Sequence, residues 1–142
     1  MKSKFSEVVK VRKQALDKAE AKLALARSKV ESCEQSLAAA REEALKFSLP
    51  KSGNVNEIRQ NLELLNVARN AQAQAAERLE LAKKEAMHFE FLYKKANLEF
   101  EKMKYLEKEE LRAQIKKAQR AEALALDEFA VMKFAAKKEA AL

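Results

Sequence analysis

Phe47-Ser-Leu-Pro-Lys-Ser-Gly-Asn-Val55 holds the only proline and the only glycine of the 142 residues, Pro50 and Gly53. Proline lacks an N–H and clashes with the turn before it, so it stops an incoming helix. Glycine supplies a left-handed turn at little steric cost, and Asn54 can cap whatever helix follows. No other breaker occurs in the chain. The stretch therefore predicts two helices joined by a tight reversal: helix one over about 3–47, the turn over about 48–54 and helix two over about 55–140. Residues 1–142 read as a single coiled-coil domain.

Composition agrees. Ala, Glu, Lys, Leu and Arg make up 94 of the 142 residues, far above the half that signals coiled coil or long helix. Sheet folds need Gly, Pro, Asn and Asp to turn their strands, and a phosphate-binding loop needs several glycines. Both classes are excluded. Alanine is the commonest residue; it favours helix but buries little area, which implies a narrow seam. A single cysteine, Cys33, excludes an internal disulfide and fits a reducing compartment. The opening residues carry no apolar signal core, and no run approaches the ~20 apolar residues of a membrane span. A cytosolic protein is expected.

The apolar positions follow a heptad. Stepping four then three from Phe5 gives Val9, Arg12, Leu16, Ala19, Leu23, Ala26, Val30, Cys33, Leu37, Ala40, Ala44 and Phe47, where only Arg12 departs. Helix two repeats the step at Leu65, Ala68, Gln72, Ala75, Leu79, Ala82, Ala86, Phe89, Tyr93, Ala96, Phe100 and Met103. Its phase slips over Met103–Leu111 and resumes at Leu111, Ile115, Ala118, Glu122, Ala125, Phe129, Met132 and Ala136. A 3.5-residue repeat specifies a left-handed pairing, and here the partners are the two helices of one chain.

Folding about Pro50–Gly53 pairs residues whose numbers add to roughly 102, as a short connection requires. Phe5 then falls near residue 97, and everything past about residue 100 is expected to overhang. The overhang keeps an apolar stripe of Leu111, Ile115, Phe129 and Met132, which this chain does not cover. It needs a partner.

Catalytic chemistry is not expected, because a helical pair offers no pocket to hold reacting groups. His88 is the only histidine and cannot form a zinc pair; it reads as a flank residue beside Phe89. Cys33 sits in the alanine row of the seam, as a small apolar filler. Glu42-Glu43 and Glu109-Glu110 lack calcium-loop spacing. No cofactor or metal is implied. The net charge of +7 comes from 29 basic residues interleaved with 22 acidic ones, as on a solvated coiled-coil flank.

Three surfaces stand out instead. Lys2, Lys4, Lys10, Arg12 and Lys13 surround Phe5, Val8, Val9 and Val11 at the start of helix one. Arg112, Lys116, Lys117 and Arg120 form an acid-free basic patch on the overhang. Leu62, Leu64, Leu65 and Val67 follow the turn, and Leu64 continues through Ala68, Ala71 and Ala75 as a stripe of small residues.

The chain resembles the FliJ family of flagellar export proteins. The resemblance lies in the architecture and in two stretches. One is Phe5-Ser-Glu-Val-Val-Lys-Val-Arg12; the other runs from Lys104-Tyr-Leu-Glu-Lys to Leu126-Asp-Glu-Phe-Ala-Val-Met-Lys133, with Asp127-Glu128-Phe129-Ala130 the closest part. It implies an antiparallel coiled coil like the stalk of a rotary ATP synthase, seated in a hexameric export ATPase. It further implies contacts with the cytoplasmic part of the export gate and with export chaperones, hence a cytoplasmic protein working at the inner membrane. On this resemblance the ATPase-docking candidates are Phe5, Arg12, Arg112, Lys116, Arg120, Phe129, Met132 and Lys133. The gate candidates are Leu64, Ala68, Ala71 and Ala75. A monomer or weak self-association is expected, with no nucleic acid. The alternatives are an injectisome counterpart, or a basic scaffold that binds nucleic acid or a membrane surface.

Overall fold

Two helices account for the fold. The computed structural model describes residues 3–47 and 53–141. Helix α1 runs Ser6–Leu45 and helix α2 runs Val55–Ala140, and no strand occurs among the described residues. The expected all-α hairpin of two long antiparallel helices is what forms. Ser3 starts the first helix: its carbonyl accepts from the Ser6 N–H at 3.1 Å and its hydroxyl accepts from the Phe5 N–H at 3.1 Å. At the far end, Lys46 and Phe47 donate to the carbonyls of Glu43 and Ala44, closing the last turn with i→i+3 bonds.

The turn residues Ser48–Ser52, Pro50 included, lie outside the described residues. Gly53 does adopt a positive φ, 152°, a backbone conformation that residues with a side chain rarely take. Asn54 is the cap that the sequence predicts. Its Oδ1 accepts from the Glu57 N–H at 2.8 Å, and its carbonyl accepts from the Ile58 N–H at 3.1 Å.

The chain divides into two compact units, Gln14–Asn97 and Met1–Lys13 with Leu98–Leu142. In the first, Leu16, Leu23, Ala26 and Leu37 of α1 are buried, as are Leu65, Ala68, Ala75, Leu79 and Ala82 of α2. Leu37, Ala75 and Leu79 form a cluster, with Val30, Cys33, Ala40 and Ala76 packed around it. Cys33 is half-buried there, in its seam-filling place. Each leucine removed from water in this way contributes about 2 kcal/mol. All nine buried apolar residues are heptad positions. In the second unit Ser3 is buried and donates its hydroxyl to Glu110, while Arg12 pairs with Glu99.

The register differs from the expected one. Arg12 meets Glu99 rather than a residue near 90, Lys29 meets Glu85 rather than one near 73, and Ser3 reaches Glu110 rather than one near 99. The physical reason lies at the hairpin end. The expected register lets both helices pair right up to the turn. In fact α1 ends at Leu45, while α2 begins at Val55 with its first six residues exposed and its first buried seam residue at Leu65. The opening turns of α2 have no α1 opposite them, so the pairing slides about ten residues along α2.

Two corrections follow. The overhang begins after Gln114, not near residue 100, and from Ile115 to Ala141 every residue is exposed. At 1.5 Å per residue this is roughly 40 Å of helix. The seam also keeps its original phase past Met103, through half-buried Glu107, Glu110 and Gln114 with Leu106 and Leu111 beside them. The phase slip read between Met103 and Leu111 is a stretch where the seam turns polar.

Candidate partner-docking surface

The two N-terminal candidates are already engaged by α2 or by neighbours. Phe5 is half-buried, with the Lys4 ammonium 5.3 Å from its ring centre. Arg12, the one polar seam position of α1, holds Glu99 at 3.3 Å with both side chains a little under half exposed. At the next residue of α2, Lys13 and Lys104 both lie over the Phe100 ring, at 5.5 and 5.7 Å. Arg12 therefore helps to fasten the start of α1 to α2, while Phe5 is engaged by its neighbour Lys4.

The remaining docking candidates stand clear. Arg112, Lys116, Arg120, Phe129, Met132 and Lys133 are all exposed. Arg112 is drawn back to Glu109 at 3.2 Å, an i,i+3 pair. Phe129 and Met132 keep 63% and 71% of their surface in water.

One feature of this segment escapes a reading along a single heptad row. Leu124, Leu126, Val131 and Phe134 are also exposed, at 62–71%. At about 100° per residue, Leu124, Val131 and Phe134 lie roughly opposite Leu126, Phe129 and Met132. Alanines fill much of the arc between them. Of the fourteen residues 123–136, only Asp127, Glu128 and Lys133 are charged. The end of α2 is thus apolar all round rather than along one stripe. Counting charged residues in that window would have found it; following one row could not.

The four gate candidates do not form one surface. Ala68 and Ala75 are buried against α1 at 7% and 9% exposure, while Leu64 and Ala71 face outward. The reason is the heptad itself, because Ala68 and Ala75 belong to the seam row that starts at Leu65. What lies open after the turn is Ile58, Leu62, Leu64 and Val67. Gln60, Glu63, Leu64 and Val67 line a shallow groove there, and Arg41, Phe47, Leu65 and Arg69 border a larger one at the end of α1. The sequence singled out Leu62, Leu64 and Val67 but not Ile58, which a register summing to about 102 would set opposite Ala44 of α1.

No group of three or more metal-binding side chains occurs among the described residues. His88 is exposed, its ring tilted against Phe89 at 5.7 Å. No helix is long and apolar enough to cross a membrane, among the described residues.

The family model described as "Flagellar FliJ protein" matches residues 1–139. No curated protein and no solved structure matches this chain.

Proposed function

Because this chain belongs to the FliJ family of flagellar proteins, we propose that it is a non-enzymatic stalk of the flagellar export apparatus, with the end of α2 seated in the hexameric export ATPase. The observation that carries this reading is the exposed apolar segment Leu124–Ala136. A helix that is hydrophobic on every side is stable only when it is surrounded. A flat docking surface would cover one face and leave Leu124, Val131 and Phe134, or else Phe129 and Met132, in water. A ring lumen covers both.

The same geometry suggests how such a stalk acts. A single helix has no rotational symmetry, so six subunits around it meet different side chains. Asp127 and Glu128 would face some subunits, and Lys133 others. Each subunit then has its own interaction free energy with the helix, which biases its conformation relative to its neighbours. Sequential turnover follows from such bias without any chemistry on the stalk.

Contacts with the export gate and with export chaperones belong to the same proposal. Family membership supports them. For the gate, the open surface Ile58, Leu62, Leu64 and Val67 is the better candidate, with Ala71 beside it and Ala68 and Ala75 as its backing in the seam. Work at the cytoplasmic face of the inner membrane would come through these partners. The test is sedimentation of the cognate export ATPase with and without this protein: a larger hexamer fraction supports the stalk, and an unchanged distribution at every ratio contradicts it.

A further inference from the structure

The charge of this chain is unevenly placed. Residues 1–13 and 98–142 hold 15 basic and 10 acidic side chains, a net of +5, while residues 14–97 hold 14 and 12, a net of +2. Within the first set, Lys104, Lys108, Arg112, Lys116 and Arg120 recur at every fourth residue of α2. That spacing makes one slowly winding ladder on the helix surface, with about 6 Å between successive charges.

Like charges four apart on a helix oppose its formation. Relief within the chain is partial. Arg112 has Glu109, and Lys104 lies over Phe100. Lys116 and Arg120 have no acidic residue three or four positions away. Both are exposed, beyond the end of the α1 cover and just before the apolar segment.

A second copy of the chain is a poor occupant. Paired in parallel, each cation of the ladder would face its own counterpart. The complement of the ladder is a row of carboxylates on a different protein.

We propose that the ladder Lys108–Arg112–Lys116–Arg120 seats on an acidic rim of the partner that encloses Leu124–Ala136, so that docking has two zones: a charged collar at the mouth and an apolar plug within. This rests on the stalk reading above. The collar steers the encounter and fixes how deep the helix enters, since attraction between exposed charges acts mainly on the association rate. The plug sets the dissociation rate.

The experiment uses the full-length chain and the immobilised cognate export ATPase, with association and dissociation followed from about 50 to about 500 mM NaCl, a range over which screening becomes strong. Three proteins are compared: the unaltered chain, a ladder variant (Lys108→Gln, Lys116→Gln, Arg120→Gln), and a charge-matched control (Lys18→Gln, Lys22→Gln, Lys84→Gln). The expected result is association at low salt slowed about tenfold or more in the ladder variant, with little salt dependence left and dissociation nearly unchanged. The control should behave as the unaltered chain does. Equal loss in the control would show that net charge, not the ladder, is responsible, and would overturn the proposal. So would ladder-variant kinetics equal to those of the unaltered chain, which leave the stalk reading intact. Loss of binding to single-stranded DNA or anionic vesicles, with ATPase kinetics unchanged, would assign the ladder to a polyanion and overturn it too. No binding of the unaltered chain would overturn the stalk reading, and the collar with it.

Discussion

Arg12 reaches Glu99 at 3.3 Å across the two helices, from the one heptad position of α1 that carries no apolar side chain. The pair turns a gap in the hydrophobic row into a cross-helix ion pair beside Lys13 and Phe100. Both side chains are more than two-fifths exposed, so water and salt screen them. A double-mutant cycle on Arg12→Ala and Glu99→Ala should give a coupling below about 1 kcal/mol that shrinks in high salt. Coupling of several kcal/mol, insensitive to salt, would mean the pair is far more enclosed than described.

The register makes a chemical prediction. Lys29 Nζ lies 3.1 Å from Glu85 Oε2. A zero-length carbodiimide should therefore join Lys29 to Glu85 within one chain, detectable by peptide mass spectrometry. Linkage of Lys29 to Glu77 instead would restore a register closer to the tight hairpin.

Seam and surface leucines should separate cleanly. Leu79 is 8% exposed within the Leu37–Ala75 cluster, whereas Leu81, two residues on, is 59% exposed. Leu79→Ala should cost about 2–4 kcal/mol in urea denaturation. Leu81→Ala should stay within about 0.5 kcal/mol of the unaltered chain. Similar losses at both sites would contradict the assigned seam.

Asn54 offers a local check on the start of α2. Removing its side-chain oxygen in Asn54→Ala should lower stability by about 1 kcal/mol, and Asn54→Gly by only a few tenths. Equal effects of the two substitutions would argue that the bond to the Glu57 N–H contributes nothing.

The helices and their seam were legible because heptad spacing is local information: Leu16, Leu23 and Leu37 announce the buried face wherever the partner lies. Arg12 stood out for the same reason, and Asn54 did through its place beside Gly53. Register was not legible. It depends on where α1 stops relative to the breakers, and α1 stops at Leu45, five residues before Pro50, so the opening turns of α2 go uncovered. That single displacement moved the start of the overhang and exposed Ile58. It also left the gate stripe divided, since Ala68 and Ala75 serve the seam while Leu64 and Ala71 do not. The all-round apolar character of Leu124–Phe134 was present in the sequence but hidden by following one row.

The central claim is that the apolar end of α2 acts from inside the export ATPase ring. The measurement is steady-state ATP turnover by the cognate ATPase with the unaltered chain and with a variant carrying Leu124→Gln, Phe129→Gln, Val131→Gln and Phe134→Gln. All four side chains are exposed, so helix content and unfolding should barely change. The account predicts that the unaltered chain raises turnover severalfold at saturating ratios and that the variant does not, although it remains helical. Equal stimulation by both, or none by the unaltered chain, would contradict it.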